Sequence, residues 1–359
     1  MDCIRRVRGA KKTITMCRPY LKLVTFLAFV FPLLAQTTPA DNSLEGAVIE
    51  KMATHRHFEN DGTSTEENTT VIRIQSEAGV QQFGQLVIGY SSATERLTID
   101  YVRVRKASGE VIETPEANAQ DFAPEVFESA PMYSDFRQRH ITVVGLRPGD
   151  ALEYHTTTKT FQALAAGQFW SEYTFPKGIA ISEVRLDIDV PKSRELHLKS
   201  PNHKYTTTEA GDIRTYRWVV TNIAPDRAKK KVEDLQSESE DQSPDVQLTS
   251  FRDWQEVASW YAKLQGERVV VNDALQKKAD ELTRGATTAK EKAQHLYDFV
   301  AQNIRYVSLS FGVGRLQPHA ASDVLMGSYG DCKDKHTLLA ALLRAEGIQS
   351  YPVMIGSER

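Results

Sequence analysis

The sequence has few cysteines, and their positions exclude one class of protein. Of the three cysteines among 359 residues, Cys3 and Cys17 lie near the N-terminus and Cys332 lies near the C-terminus. If the N-terminal segment is removed on export, Cys332 is the only cysteine that remains. A single cysteine forms no internal disulfide, so the chain is not a disulfide-stabilised scaffold. Its thiol is either buried and inert or exposed and reactive.

Long apolar runs are also scarce. One run, residues 23–35, is interrupted by Thr25 and Pro32 and is shorter than the roughly 20 apolar residues that cross a bilayer. Seven basic residues precede it: Arg5, Arg6, Arg8, Lys11, Lys12, Arg18 and Lys22. This order predicts an export signal over residues 1–35, with cleavage after Ala35 or Ala40. We expect a periplasmic or extracellular protein, with an uncleaved N-terminal membrane anchor as the alternative and no other membrane contact.

Positive charge is scarce outside that leader. The first 35 residues hold seven basic and one acidic residue, so a total charge of -3 leaves about -9 on the remainder. Nucleic-acid binding depends mainly on neutralising phosphates with lysine and arginine, so a nucleic-acid partner is excluded. At the usual domain size of about 100–200 residues, the remainder is long enough for two domains.

The first domain, residues 45–225, has the pattern of a β structure. In residues 182–190 apolar side chains alternate with charged ones, which predicts a strand with one buried face, and Pro191 ends it. Several similar segments are separated by short glycine-containing turns, which predicts an antiparallel β-sandwich. Trp170, Tyr173 and Phe175 are interpreted as core residues rather than as a surface binding patch.

Residues 226–248 are charged and poor in large apolar residues, which predicts a linker. From residue 249 to 359 the apolar spacing becomes helical. Asp253 is a candidate helix cap, and Thr288 with Glu291 has the spacing of a capping box. Residues 350–355 are predicted to form a buried strand.

Near the C-terminus, Cys332 is predicted to begin a helix. Asp331 is a natural N-cap, leucines supply an apolar face, and Gly347 is a fitting stop. The partial positive charge at a helix start stabilises a thiolate, Lys333 and Lys335 would add to it, and the backbone N–H groups there stabilise an oxyanion. Tyr329 and Gly330, before the cap, would allow a substrate to approach. These features fit a nucleophile; a small buried residue is the alternative.

A cysteine nucleophile needs a base, normally histidine. His336 lies one turn along the same helix and is interpreted as an exposed polar residue. His319 reaches the site only if the preceding loop folds back. None of the nine histidines has metal-ligand spacing with the cysteine, so we expect neither a metal nor another cofactor.

The segment Tyr329-Gly330-Asp331-Cys332-Lys333-Asp334-Lys335, preceded by Gln317-Pro318-His319, resembles the cysteine motif of bacterial transglutaminase-like proteins. The β region resembles a domain of unassigned function that often precedes this module in exported proteins. The resemblance implies a papain-like α+β domain in which Cys332 is the nucleophile of a Cys–His–Asp triad. It also implies that Gln317 lies near the oxyanion, with His319, Tyr329 and Gly330 as further site-lining residues.

The resemblance also implies that the histidine and aspartate of the triad follow residue 355. After Cys332 the sequence holds one histidine, His336, and one aspartate, Asp334, and both lie on the cysteine's own helix. We therefore interpret the chain as a fragment whose catalytic domain is incomplete and whose 359 residues are inactive or nearly so.

Three functions remain open. The first is an exported thiol enzyme that acts on amide or peptide bonds of a peptide or protein through a thioester, with hydrolysis favoured over cross-linking. The second is a non-catalytic protein that binds a peptide or glycan and carries a degenerate catalytic domain. A redox-sensing thiol ranks last, because no resolving cysteine lies nearby. The oligomeric state is not readable from the sequence.

Overall fold

The computed structural model describes residues 42, 44–124, 132, 135–225, 243–307 and 312–354. The predicted export signal, both cleavage positions, Cys3 and Cys17 lie outside these residues. Among the helices described, none combines the length and apolar character needed to cross a membrane.

Strands dominate the N-terminal part. They are β1 (Ala47–Phe58), β2 (Ser64–Ile74), β3 (Gln85–Ser91), β4 (Glu95–Arg105), β5 (Val111–Glu113), β6 (Ala119–Phe122), β7 (Phe136–Thr142), β8 (Ala151–Thr160), β9 (Trp170–Tyr173), β10 (Ile181–Pro191), β11 (His197–Lys199), β12 (Tyr205–Ala210), β13 (Ile213–Ile223) and β14 (Val246–Thr249). A short helix, α1 (Glu77–Phe83), and a 3-10 turn, Glu116–Asn118, complete this part. The chain thus has the large β-rich N-terminal domain that the alternating pattern predicts.

Three sheets make up the β-rich domain. The largest has eight strands in the order β12-β13-β10-β1-β2-β8-β4-β5, and two three-stranded sheets have the orders β3-β7-β6 and β11-β14-β9. All the paired strands in these sheets are antiparallel except β1 and β10, which are parallel. Parallel neighbours need a long connection, and the intervening strands supply it.

The core of this domain follows the predicted alternation. In β10, Val184, Leu186, Ile188 and Val190 are each at most 1 % exposed, which confirms the strand predicted over residues 182–190. Phe175 is also core, as predicted, whereas Trp170 and Tyr173 are only half-buried. Trp170 lies on the edge strand β9 and packs against the rings of Phe251 and Trp260.

A network of polar side chains lies on the large sheet, where three strands carry ionisable groups in register. His55 Nε2 contacts Asp189 Oδ2 at 2.8 Å, His57 Nδ1 contacts the same oxygen at 3.5 Å, and the Thr215 hydroxyl donates to Asp189 Oδ1 at 2.6 Å. The hydrogen bond to Asp189 raises the pKa of His55, although partial burial opposes this. Burial would raise the pKa of Asp189, but the bonds from His55 and Thr215 and the charge of His55 lower it to about 2.

This network predicts how stability depends on pH. A raised histidine pKa stabilises the fold below the unfolded value of about 6.5, and a lowered aspartate pKa stabilises it above about 3.9. The free energy of unfolding is therefore expected to fall as pH rises through the pKa of His55, and to fall again as pH drops toward the pKa of Asp189. In urea titrations from pH 5 to pH 9, His55→Gln should reduce the fall in the free energy of unfolding at rising pH. His197→Gln, at the exposed end of β11, should leave that fall unchanged. Equal slopes in the two variants would contradict the assignment.

Helices dominate the C-terminal part. They are α2 (Trp254–Gly266), α3 (Asp273–Leu282), α4 (Ala289–Asn303), α5 (Ala321–Gly327) and α6 (Cys332–Ala345), with a parallel pair of two-residue strands, β15 (Arg305–Tyr306) and β16 (Tyr329–Gly330), and a 3-10 turn, Val313–Arg315. The predicted caps are confirmed, since Asp253 accepts from the Glu256 N–H and Thr288 forms a capping box with Glu291. A separate core joins α3, α4, α5 and α6.

Two sequence expectations differ from the structure. The predicted linker over residues 226–248 lies partly outside the described residues, but Val246–Thr249 is a strand of the β-rich domain between β11 and β9. Its alternating burial, with Val246 and Leu248 in the core, explains the pairing. The predicted strand over residues 350–355 is wrong for residues 351–354, which are irregular, and Val353 is 80 % exposed. Among the described residues no strand pairs with residues 351–354, so their backbone forms no β-sheet hydrogen bonds.

Candidate active site around Cys332

Cys332 occupies the first position of α6, as the capping pattern predicts, and its side chain is exposed. The Asp331 side chain caps the helix by accepting from the backbone N–H groups of Lys333 and Asp334, and Asp334 in turn accepts from the Asp331 N–H at 3.2 Å. This reciprocal capping box satisfies two donors of the first turn and fixes the direction of the helix start. The alternative of a small buried cysteine does not fit, because solvent reaches this residue.

The two lysines of the motif do not face the thiol as predicted. The Lys333 ammonium pairs closely with the Asp331 carboxylate, which offsets its charge. The Lys335 ammonium donates to the carbonyls of Ala301 and Ile304, at 3.2 and 2.9 Å. These carbonyls lie at the C-terminal end of α4, where the helix leaves acceptors unpaired and attracts cations. The helix start itself therefore supplies the favourable charge at Cys332.

Tyr261, on α2, is a neighbour of the thiol that the sequence did not single out as functional. Burial raises its pKa, and the negative charges of Cys332, Asp331 and Asp334 raise it further. The phenol therefore stays neutral and keeps a proton to donate near the cysteine. In the sequence this residue lies at helical spacing from Val257 and Leu264 on α2, a pattern that predicts packing and carries no signal of a functional role.

His319 is held on the inner side of α6. Its backbone N–H donates to Asp334 Oδ1 at 2.8 Å, its Nδ1 lies 3.1 Å from both carboxylate oxygens, and its Nε2 lies 2.9 Å from the Met132 carbonyl. Burial lowers the pKa of His319, but the bond to Asp334 and its charge outweigh burial and raise it. Residues 332 and 334 are about 200° apart around a helix, so His319 faces away from Cys332. The loop before α5 does fold back toward α6, but it places the His319 ring against Asp334 rather than beside Cys332.

His336 is half-buried rather than exposed, so that expectation is wrong. Its Nδ1 lies 2.5 Å from the Gln265 amide of α2, and burial lowers its pKa while a backbone hydrogen bond with Tyr351 opposes this. The reason is that α2 and residues near 351 pack over this side of α6. Both histidines near the motif therefore have ring nitrogens engaged elsewhere.

The other predicted site residues have different roles from those expected. Tyr329 is 7 % exposed, and its hydroxyl accepts from the Met132 N–H at 3.0 Å, so it anchors rather than lines the site. A Cβ on Gly330 would lie 2.6 Å from that of Asp334, so this glycine makes room for the carboxylate, not for a substrate. Gln317 lies half-buried in the loop before α5, and its side chain has no hydrogen bond to any described residue. Within the described part, no cluster of His, Cys, Asp and Glu has a geometry that could hold a metal ion.

The fold and site define a multidomain protein in which a β-rich domain precedes a smaller α+β part with an exposed cysteine at a helix start. Residues 276–354, which include Cys332, match the transglutaminase-like superfamily. Residues 60–227 match a domain of unknown function, DUF3857. The C-terminal part of the chain is therefore similar to the transglutaminase-like superfamily, and the part in front of it is similar to DUF3857.

Solved structures agree on the architecture. A crystal structure from Parabacteroides distasonis, described as a "putative protease", superposes with a TM-score of 0.69 and 16 % identity and covers 87 % of this chain. The present chain spans 62 % of that protein's length. An M1 zinc metallopeptidase from Deinococcus radiodurans matches with a TM-score of 0.30 and 10 % identity, over 57 % of this chain and 42 % of that one, which is too distant for a structural argument. No curated protein matches in sequence.

Proposed function

We propose that the protein is an exported thiol enzyme that hydrolyses amide or peptide bonds through a thioester on Cys332. The observation that carries the proposal is the exposure of Cys332 at the capped start of α6, inside the segment that matches the transglutaminase-like superfamily. The protease description of the Parabacteroides distasonis protein supports hydrolysis over cross-linking.

In the proposed reaction the Cys332 sulfur attacks the carbonyl carbon and a C–S bond forms. Asp331 engages the Lys333 and Asp334 N–H groups, so among the described residues the Cys332 N–H is the first-turn donor that the capping box leaves for the developing oxyanion. The C–N bond then breaks, the amine leaves with a proton, and water releases the acid from the thioester. Because His319 and His336 are engaged elsewhere, the described residues present no histidine base to the thiol. We expect residues 1–359 alone to react at sulfur but to hydrolyse amides very slowly.

Thiol reactivity tests this proposal. Iodoacetamide at pH 6 should label Cys332 about tenfold or more faster than the cysteine of an unstructured peptide, because the sulfur is exposed at the positive end of the α6 dipole. Peptide mapping by mass spectrometry distinguishes Cys332 from Cys3 and Cys17. Labelling of folded protein at the rate of the peptide would count against a catalytic thiol.

A binding protein is the second candidate, and one cavity favours it. A cavity of about 790 Å³ lies between the β11-β14-β9 sheet and α2 and is lined by four aromatic side chains, among other residues. They are Trp170, Phe251, Trp254 and Trp260. Aromatic-lined clefts of this size suit a peptide or a glycan. Peptide or glycan binding that is unchanged in Cys332→Ala, without any acylation of the wild-type thiol, would favour this candidate.

A further inference from the structure

One loop contacts both the β-rich domain and the helix that carries Cys332. It comprises residues 312–319, called the bridging loop here, and it precedes α5. The β-rich domain contacts it at its start, middle and end, and α6 contacts it at its end.

At the start of the bridging loop, Asp135 of the β-rich domain accepts from the Val313 N–H at 2.7 Å and from the Ser91 hydroxyl at 3.0 Å. Gly312 has a φ of 57°, and a Cβ there would lie 2.1 Å from the Asp135 carboxylate. This close approach is therefore open only to glycine. In the middle of the loop, Arg315 pairs with Glu172 of β9 at 3.5 Å, an exposed contact of small energy.

At the end of the loop, His319 lies between two acceptors. Nδ1 faces the Asp334 carboxylate of α6 and Nε2 faces the Met132 carbonyl of the β-rich domain. Only the imidazolium can donate to both, since neutral imidazole has one N–H. The charged or titratable groups nearest the ring are the fully buried Asp334 and the Asp331–Lys333 pair from α6, and Tyr329 from β16.

We propose that the β-rich domain positions the bridging loop at the cysteine, through Asp135 at one end and the Met132–His319–Asp334 bridge at the other. This inference rests on the proposed thiol chemistry. It gives the DUF3857 domain a role in that chemistry, because its contacts reach Asp334 through His319, and Asp334 closes the capping box that orients the Cys332 N–H for the oxyanion of the acyl intermediate. Gly312 and His319 are thus positioning residues rather than catalytic ones.

Hydrogen exchange with mass spectrometry tests the positioning directly. Gly312→Ala and His319→Gln should each speed exchange across residues 312–319 about tenfold or more, while protection in β10 and the second half of α6 is retained. Two matched controls should leave the loop unchanged. Gly211→Ala has a similar φ of 58° but nothing within 4 Å of the new Cβ, and His295→Gln changes an exposed histidine on α4.

The pH dependence gives an additional readout for His319. After correction for intrinsic exchange, loop protection in the wild type should fall as pH rises from 6 to 9, because the deprotonated ring loses one of its two hydrogen bonds. His319→Gln should lack this fall. The inference would be overturned if all four variants showed the same hydrogen-exchange protection of residues 312–319 and if that protection did not change with pH.

The final readout compares two reactions of the same sulfur. Acylation by p-nitrophenyl acetate forms an oxyanion, whereas alkylation by iodoacetamide does not. Loss of positioning should slow acylation about fivefold or more in Gly312→Ala and His319→Gln, and leave alkylation within about twofold. Equal acylation rates in wild type and variants would refute the positioning role. Absence of Cys332 acylation in the wild type would instead refute the proposed function.

Discussion

Mixing the protein with p-nitrophenyl acetate should release a burst of about one p-nitrophenolate per chain, and Cys332→Ala should remove the burst. The sulfur attacks the ester carbonyl, the C–O bond to p-nitrophenolate breaks, and a thioester remains. This leaving group departs without a proton, so the reaction bypasses the histidine that an amide substrate requires. The burst therefore measures the nucleophile alone.

The other two cysteines of the sequence provide a control for the burst. A Cys3→Ser, Cys17→Ser double variant should keep the full burst, because these residues lie far along the chain from α6. Intact-mass measurement should show one added acetyl group, mapped to the peptide that contains Cys332. A burst that persists in Cys332→Ala, or one that disappears with Cys3 and Cys17, would contradict the assignment of the nucleophile.

Features encoded locally could be predicted from the sequence. The strand over β10 follows from strict alternation, and the starts of α2, α4 and α6 follow from capping side chains within three residues. The place of Cys332 at the first position of α6 follows in turn from the cap at Asp331. Each of these depends on neighbours in the chain, so spacing alone is sufficient to find them.

Features that depend on distant residues could not be predicted. His319 meets Asp334 across 15 positions and Met132 across 187, and no local pattern signals either contact. Tyr261 reaches the cysteine only because α2 packs beside α6. Val246–Thr249 joins the β-rich domain because β9 and β11 offer it partners, although the charged residues before it are typical of a linker. The Lys335 ammonium turns from the thiol because its acceptors, the Ala301 and Ile304 carbonyls, come from α4, about 30 positions earlier in the chain.

Asp334→Ala should be the most destabilising single change at the site. The Asp334 side chain is fully buried and accepts from the Asp331 N–H, the His319 N–H and His319 Nδ1. Alanine would leave these donors buried without an acceptor, at roughly 1–3 kcal/mol for each unsatisfied group before relaxation. Because the donors share one site, their costs are not additive, and we expect a total loss of about 2–4 kcal/mol in the free energy of unfolding.

Two further variants make the Asp334 measurement specific. Asp334→Asn keeps one acceptor oxygen but loses the charge that faces His319, so urea denaturation should place it between wild type and Asp334→Ala. Asp323→Ala removes an exposed aspartate from the first turn of α5 and should change stability by no more than about 0.5 kcal/mol. If Asp334→Ala were as stable as Asp323→Ala, the buried carboxylate would not hold the first turn of α6. The link from the β-rich domain through His319 to the cysteine helix would then have no structural basis.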